Sequence, residues 1–182
     1  MSHAVMIPRK VAADDVKAWV RSAKSASADL DNGNVVVLAS QSSTAGEGEL
    51  WLATQPATAT LASGLWMVGE PESVITESGS YQFKGLDPDP RNFVNSQGLP
   101  FTAFKLQVGD IITLTSDALA GTQSTNTFVV ATDASYKLTW AASAISGLSL
   151  KLINDNDYIS IPDGSIGTQR VSADKFVVVA LA

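Results

Sequence analysis

The chain has no cysteine and only one histidine among its 182 residues. Without cysteine the fold cannot rest on disulfides or thiolate metal sites, and thiol nucleophiles are excluded. The single histidine, His3, stands near the amino terminus with no second His or Cys beside it. The sequence therefore places it in a mobile tail, where it could neither hold a metal nor serve as the oriented base of a Ser–His–Asp arrangement. No apolar run reaches the ~20 residues that a membrane-spanning helix needs. Pro8 and the flanking charges interrupt any signal-peptide core in MSHAVMIPRKVAADD. A product made in the cytoplasm, without a membrane partner, is expected. No glycine-rich phosphate loop occurs, and no cofactor is expected.

Charged residues are also scarce, at 16%, whereas hydrophobic residues reach 45%, a balance that belongs to a folded chain and not a disordered one. The charges are unevenly spread. Residues 1–30 carry five basic against three acidic side chains, net +2, and the remainder carries seven against fifteen, net −8. An acidic body excludes the basic footprint that nucleic-acid binding requires, and a mildly basic amino-terminal segment suits a negatively charged surface.

Residues 12–27 show a helical period. Val16, Trp19, Val20 and Ala23 fall at i, i+3, i+4 and i+7, which predicts an amphipathic helix with one apolar stripe. Asp14 and Asp15 would lie in its first turn, and Lys17, Arg21 and Lys24 further along. Asp31-Asn32-Gly33 is a turn signal that ends it. After Gly33 the pattern changes to short segments with period two, such as Ile112 and Leu114, or Tyr136, Leu138 and Trp140, on one face each. The expected strands are 35–39, 50–54, 65–68, 81–84, 103–107, 110–115, 126–131, 136–141, 148–153, 158–161 and 176–181. The prediction is a mainly β protein: a sandwich or barrel of short antiparallel strands, with an amino-terminal tail and one short helix. Two parts follow, an arm over residues 1–30 and a β domain over residues 31–182.

Several motifs invite chemistry. Leu50-Trp51-Leu52 and Leu65-Trp66-Met67, each followed by a proline, predict paired strands with both tryptophans in one layer. With Trp140 they are expected in the core, although exposed aromatics would make a sugar platform. Trp51, Trp66, Val129, Leu138, Trp140, Leu150, Leu152 and Val178 make up the expected core. Asp87 and Asp89 each precede a proline in the long loop from Gly85 to Phe101 and suit turns better than a carboxylate pair facing across a cleft. Asn154-Asp155-Asn156-Asp157 lacks the sixth-position glycine and the distal glutamate of a calcium loop, which predicts a hairpin connection. The apolar strand 176–181 must be central or paired within an oligomer, since an open apolar edge aggregates.

The segments Arg91-Asn92-Phe93-Val94-Asn95, Gly98-Leu99-Pro100-Phe101 and Val108-Gly109-Asp110-Ile111-Ile112-Thr113-Leu114-Thr115 resemble tailed-phage virion proteins of the capsid decoration (cement, auxiliary head) type. The run from Ala131 to Trp140 and the terminal strand from Phe176 to Leu181 share that resemblance, which covers most of the chain after residue 30. It implies β-rich knobs that bind the outside of an icosahedral head, often as symmetric oligomers, with no active site. The expected function is thus a structural virion protein on the capsid surface, made in the host cytoplasm, with the major capsid protein and its own copies (a trimer or dimer) as partners. The alternative is a carbohydrate- or receptor-binding phage appendage. An enzyme would need carboxylates such as Asp110 and Asp133 to converge with Glu residues. The expected docking element is the stripe Val16, Trp19, Val20 and Ala23, with Trp19 as anchor and Lys17, Arg21 and Lys24 as a charged rim.

Overall fold

The computed structural model describes residues 3–14, 16–58, 64–69, 75–78, 81–84, 90–162 and 168–181. It is 49% strand and 7% helical, and the helical turns with defined bounds are three-residue 3-10 turns. The strands are β1 (Met6–Lys10), β2 (Val20–Ser25), β3 (Val35–Gln41), β4 (Trp51–Thr54), β5 (Leu65–Val68), β6 (Ile75–Ser78), β7 (Tyr81–Lys84), β8 (Pro100–Phe104), β9 (Ile111–Leu114), β10 (Leu119–Ala120), β11 (Phe128–Val130), β12 (Leu138–Ala141), β13 (Ser149–Pro162) and β14 (Thr168–Ala180). Seven of them form a sheet in the order β1-β9-β14-β13-β11-β12-β10, and β2-β4-β3-β5-β8 close into a five-stranded barrel. β6 and β7 pair as a separate hairpin.

Period-two alternation decides which strand face meets which core. In β3 and β5, Val35, Leu65 and Met67 point out of the barrel and join Ile112, Leu114, Phe176, Val178, Leu138 and Leu150 of the large sheet. Their neighbours Val36, Trp66 and Val68 point inward and fill the barrel with Ala23, Ala53, Phe101 and Ala103. The principal core therefore lies between the barrel wall and one face of the seven-stranded sheet. The expected core residues Trp66, Val129, Leu138, Leu150 and Val178 are buried. Trp51, Trp140 and Leu152 are half-buried and pack on the same clusters.

The mainly β architecture stands as the sequence indicates, and the helix over 12–27 does not form. Residues 12–14 and 17–19 are single 3-10 turns, and 20–25 is strand β2. A short isolated helix is marginal in water, whereas β2 hydrogen-bonds on both edges, parallel to β4 and antiparallel to β8, and so closes the barrel. Nor does the described part of segment 1–30 stand apart from the β domain as an arm. β1 is an edge strand of the large sheet against β9, and Ala4, Val5 and Met6 are buried.

The turn at Asp31-Asn32-Gly33 is present. Gly33 has φ +88°, and a Cβ there would stand 2.8 Å from Leu114 Cδ2, so conformation and space both call for glycine. Asn154–Asp157 is not a hairpin connection. It lies inside β13, where the register with β14 shifts between Leu152 and Asn154 and again between Asn154 and Asp157. The extra residues are absorbed as bulges in one long strand. The two Trp strands are not neighbours either, since β3 runs between β4 and β5. The apolar terminal segment is central: β14 is flanked by β9 and β13. Of the loop from Gly85 to Phe101, residues 85–89, with Asp87 and Asp89, lie outside the described residues; Pro90–Asn92 is a 3-10 turn, and Pro100 and Phe101 open β8.

Candidate functional site

The predicted stripe is dispersed by the barrel wall. Val16 is exposed at 36%. Trp19 and Val20 are half-buried against the principal core, and the Trp19 carbonyl accepts the Lys105 amide at 2.8 Å. Ala23 is fully buried on the other side of the wall, inside the barrel. Lys17 opens the turn Lys17–Trp19. Lys24 pairs with Glu47, and that hydrogen bond, with a second from Ser42 Oγ at 2.6 Å, holds the Glu47 carboxyl below its ordinary range. Strand geometry sends alternate residues to opposite sides, so Val20 and Ala23, three apart along the chain, lie on opposite sides of the wall. Three other places bring polar side chains together.

The first is the face of the large sheet turned away from the barrel. Register aligns Ile7, Thr113 and Lys175 in one row, and Lys10, Ile111, Val177 and Lys151 in the next. Arg9 Nε donates to Thr113 Oγ1 at 3.1 Å, which in turn donates to Asp157 Oδ2 at 3.1 Å. Lys175 Nζ lies 3.0 Å from the same carboxylate oxygen, and an Arg9 guanidinium nitrogen 3.9 Å from it. Burial alone would raise the Asp157 carboxyl. Hydrogen bonds from Lys175, the Tyr158 amide and Thr113 outweigh it and leave the carboxyl below its ordinary range. An open cleft of about 560 Å³ lies over this network, with Arg9, Lys10 and Lys175 against one carboxylate, Asp157.

Beside it the β13–β14 hairpin runs on as a two-stranded ribbon. β11 pairs β13 only at Ser149–Lys151, and β9 pairs β14 only at Asp174–Val177. Ile159 and Ala173 tie the ribbon to Val5 in a small buried cluster. Tyr158 is 43% exposed, with the Arg170 guanidinium 4.3 Å over its ring.

The second place is the barrel mouth. Arg21 alternates with Ala23 along β2 and so faces the same side. Its guanidinium carbon stands 4.1 Å from the Trp51 ring centre and 5.1 Å from that of Trp66. The two tryptophans do share a layer, brought together by this arginine across β3. An open cleft of about 400 Å³ is lined by Arg21 and Trp51 and also by Ala18, Val20, Ser22, Gln41 and Glu49.

The third is the junction of the two sheets. His3 is not in a loose tail: its amide donates to the Arg91 carbonyl at 2.6 Å and its Nδ1 lies 2.7 Å from Asp31 Oδ1. The nearby buried Asn95 amide donates to Leu30 O and Asn32 Oδ1, both at 3.0 Å. Asn34 Nδ2 and Asn95 Oδ1 are buried without a hydrogen-bond partner among the described residues.

Among the described residues Asp110 and Asp133 are not part of any group of three or more His, Asp or Glu side chains. Asp110 is buried, its two oxygens accepting the Ala12 and Gln107 amides at 2.9 and 2.8 Å, which makes it a clamp for the turn before β9. Among the described residues no three His, Asp or Glu side chains are grouped as metal ligands, and no helix is long and apolar enough to cross a membrane. Arg9, Asp157 and Lys175 are not legible as a unit in the sequence, because Asp157 stands in a segment of turn composition. Alternation through Lys175 and Val177 is the available signal. Comparisons with protein-family models, curated proteins and solved structures find no match.

Proposed function

We propose that this chain acts by binding and not by catalysis, as a structural virion protein: a capsid decoration protein that attaches to the outside of a phage head and stabilises it. The observation that carries the reading is the outer face of the seven-stranded sheet. There Arg9, Lys10, Lys151 and Lys175 gather on a chain of net charge −6, beside exposed Ile153, Tyr158 and Val179. A face with apolar anchors and a rim of one charge suits an acidic protein surface, here that of the major capsid protein, with the charges speeding and orienting encounter. The ribbon extends the same surface. This face replaces the amino-terminal stripe as the docking element, because β1 and β2 are structural strands.

Self-association into a trimer or dimer belongs to the same proposal, although the terminal strand gives no reason for it, being internal to the sheet. Mass spectrometry of purified virions tests the reading. Copy numbers in the hundreds per particle are expected. Absence from the particle would refute it, and a handful of copies would favour the alternative of a carbohydrate- or receptor-binding appendage, for which the barrel mouth is the supporting observation.

A further inference from the structure

We propose that the barrel mouth is a binding site for an acidic saccharide, with the sugar carboxylate seated on the edge of the Arg21 guanidinium. Arg21 carries five N–H donors in a rigid planar fork. Two indole rings stand against it at 4.1 and 5.1 Å. No described residue accepts a hydrogen bond from it or forms an ion pair with it. Stacking on Trp51 and Trp66 occupies the flat face of the group and leaves its edge, the part that matches a carboxylate in a bidentate pair. The side chain is also already ordered, so a ligand loses less entropy in fixing it.

The surroundings narrow the ligand class. Among the described residues Arg21 is the one cation lining this cleft, and Glu49 lines it too. A single carboxylate matches the one guanidinium in a bidentate pair, whereas a dianion such as phosphate exceeds that one positive charge and meets stronger repulsion from Glu49. Gln41 is exposed on β3, directly opposite Trp51 in register. With Glu49 it offers both donors and acceptors to sugar hydroxyls, while half-buried Trp51 offers apolar surface to the ring carbons. A volume of about 400 Å³ accommodates one or two sugar units. The inference is independent of the capsid reading, since a decoration protein and an appendage could each carry such a site.

The test uses the full chain and its own fluorescence, because Trp51 lines the cleft and Trp66 packs on Arg21 behind it. Sodium glucuronate, glucose, acetate and inorganic phosphate are titrated separately at constant ionic strength. Glucuronate is expected to give a saturable change in tryptophan emission and a matching calorimetric heat, with glucose, acetate and phosphate at least about tenfold weaker. Arg21→Lys keeps the charge and loses the fork, and should weaken glucuronate about tenfold or more. Gln41→Ala, on an exposed side chain that leaves the fold intact, should weaken it several-fold and serves if Arg21→Lys melts early. Absence of a saturable response to glucuronate overturns the proposal. So does equal binding of phosphate or glucose, or unchanged affinity in a well-folded Gln41→Ala.

Discussion

Replacing Asp157 by asparagine keeps the volume and removes the charge on which the outer-face network converges. In the parent chain one carboxylate oxygen takes Lys175 at 3.0 Å and Thr113 at 3.1 Å, with Arg9 at 3.9 Å, and the Asp157 side chain is only 13% exposed. The amide oxygen of the replacement could still accept from Thr113, but Lys175 and Arg9 would be left without a counter-charge. Hydrogen bonds to charged groups contribute about 1.5–3 kcal/mol each, and partial exposure of Lys175 lowers that, so the substitution should cost about 1–2 kcal/mol at pH 7. For a chain of this size the melting temperature should fall by roughly 2–8 °C.

The pH dependence follows from the direction of the Asp157 shift, which is downward. An acid whose folded value is depressed contributes stability above its unfolded value, about 3.9, and loses that contribution as pH falls through the folded value. The gap between parent and Asp157→Asn should therefore be full at pH 5–7 and close toward pH 3. Urea denaturation followed by tryptophan fluorescence at several pH values measures it. Equal stability at pH 7, or a gap that stays constant down to pH 3, would refute the reasoning.

Other substitutions probe the packing. Phe176→Ala removes a fully buried ring in tilted contact with Trp140 at 5.6 Å and should cost about 3–5 kcal/mol in the same denaturation assay. Gly33→Ala forces a side chain into left-handed backbone and against Leu114; an early unfolding transition by circular dichroism is expected, and a parent-like melt would contradict the close approach. Deleting residues 1–28 removes β1 and opens the barrel at β2, so the truncated chain should be insoluble or unfolded, and a cooperative parent-like melt would show that these strands are dispensable.

Strand positions are largely legible in the sequence because alternation survives burial: Ile112 and Leu114, or Trp66 and Val68, show which side of a wall they face. The helix fails for a reason outside the local sequence. Val16, Trp19, Val20 and Ala23 fit a helical stripe, but the edges of β4 and β8 offer β2 hydrogen bonds on both sides, and tertiary pairing outweighs a weak local preference. β13 reads as two strands because Asn154–Asp157 has turn composition, and only the long partner β14 makes a bulged continuation favourable. Arg21 at the barrel mouth is hidden by the helical period: on a helix rim it would not share a side with Trp51 and Trp66.

The central claim is that the outer face of the large sheet docks on the capsid. Lys10 on β1 and Lys151 on β13 are exposed in one row across that face and form no ion pair among the described residues, so reversing both charges should spare the fold. The decisive measurement is co-sedimentation of the double variant Lys10→Glu, Lys151→Glu with purified capsids that lack this chain. The account predicts a parent-like melting temperature, with capsid binding weakened about tenfold or more and the salt dependence of the remainder reduced. Parent-level binding by the well-folded variant would contradict it.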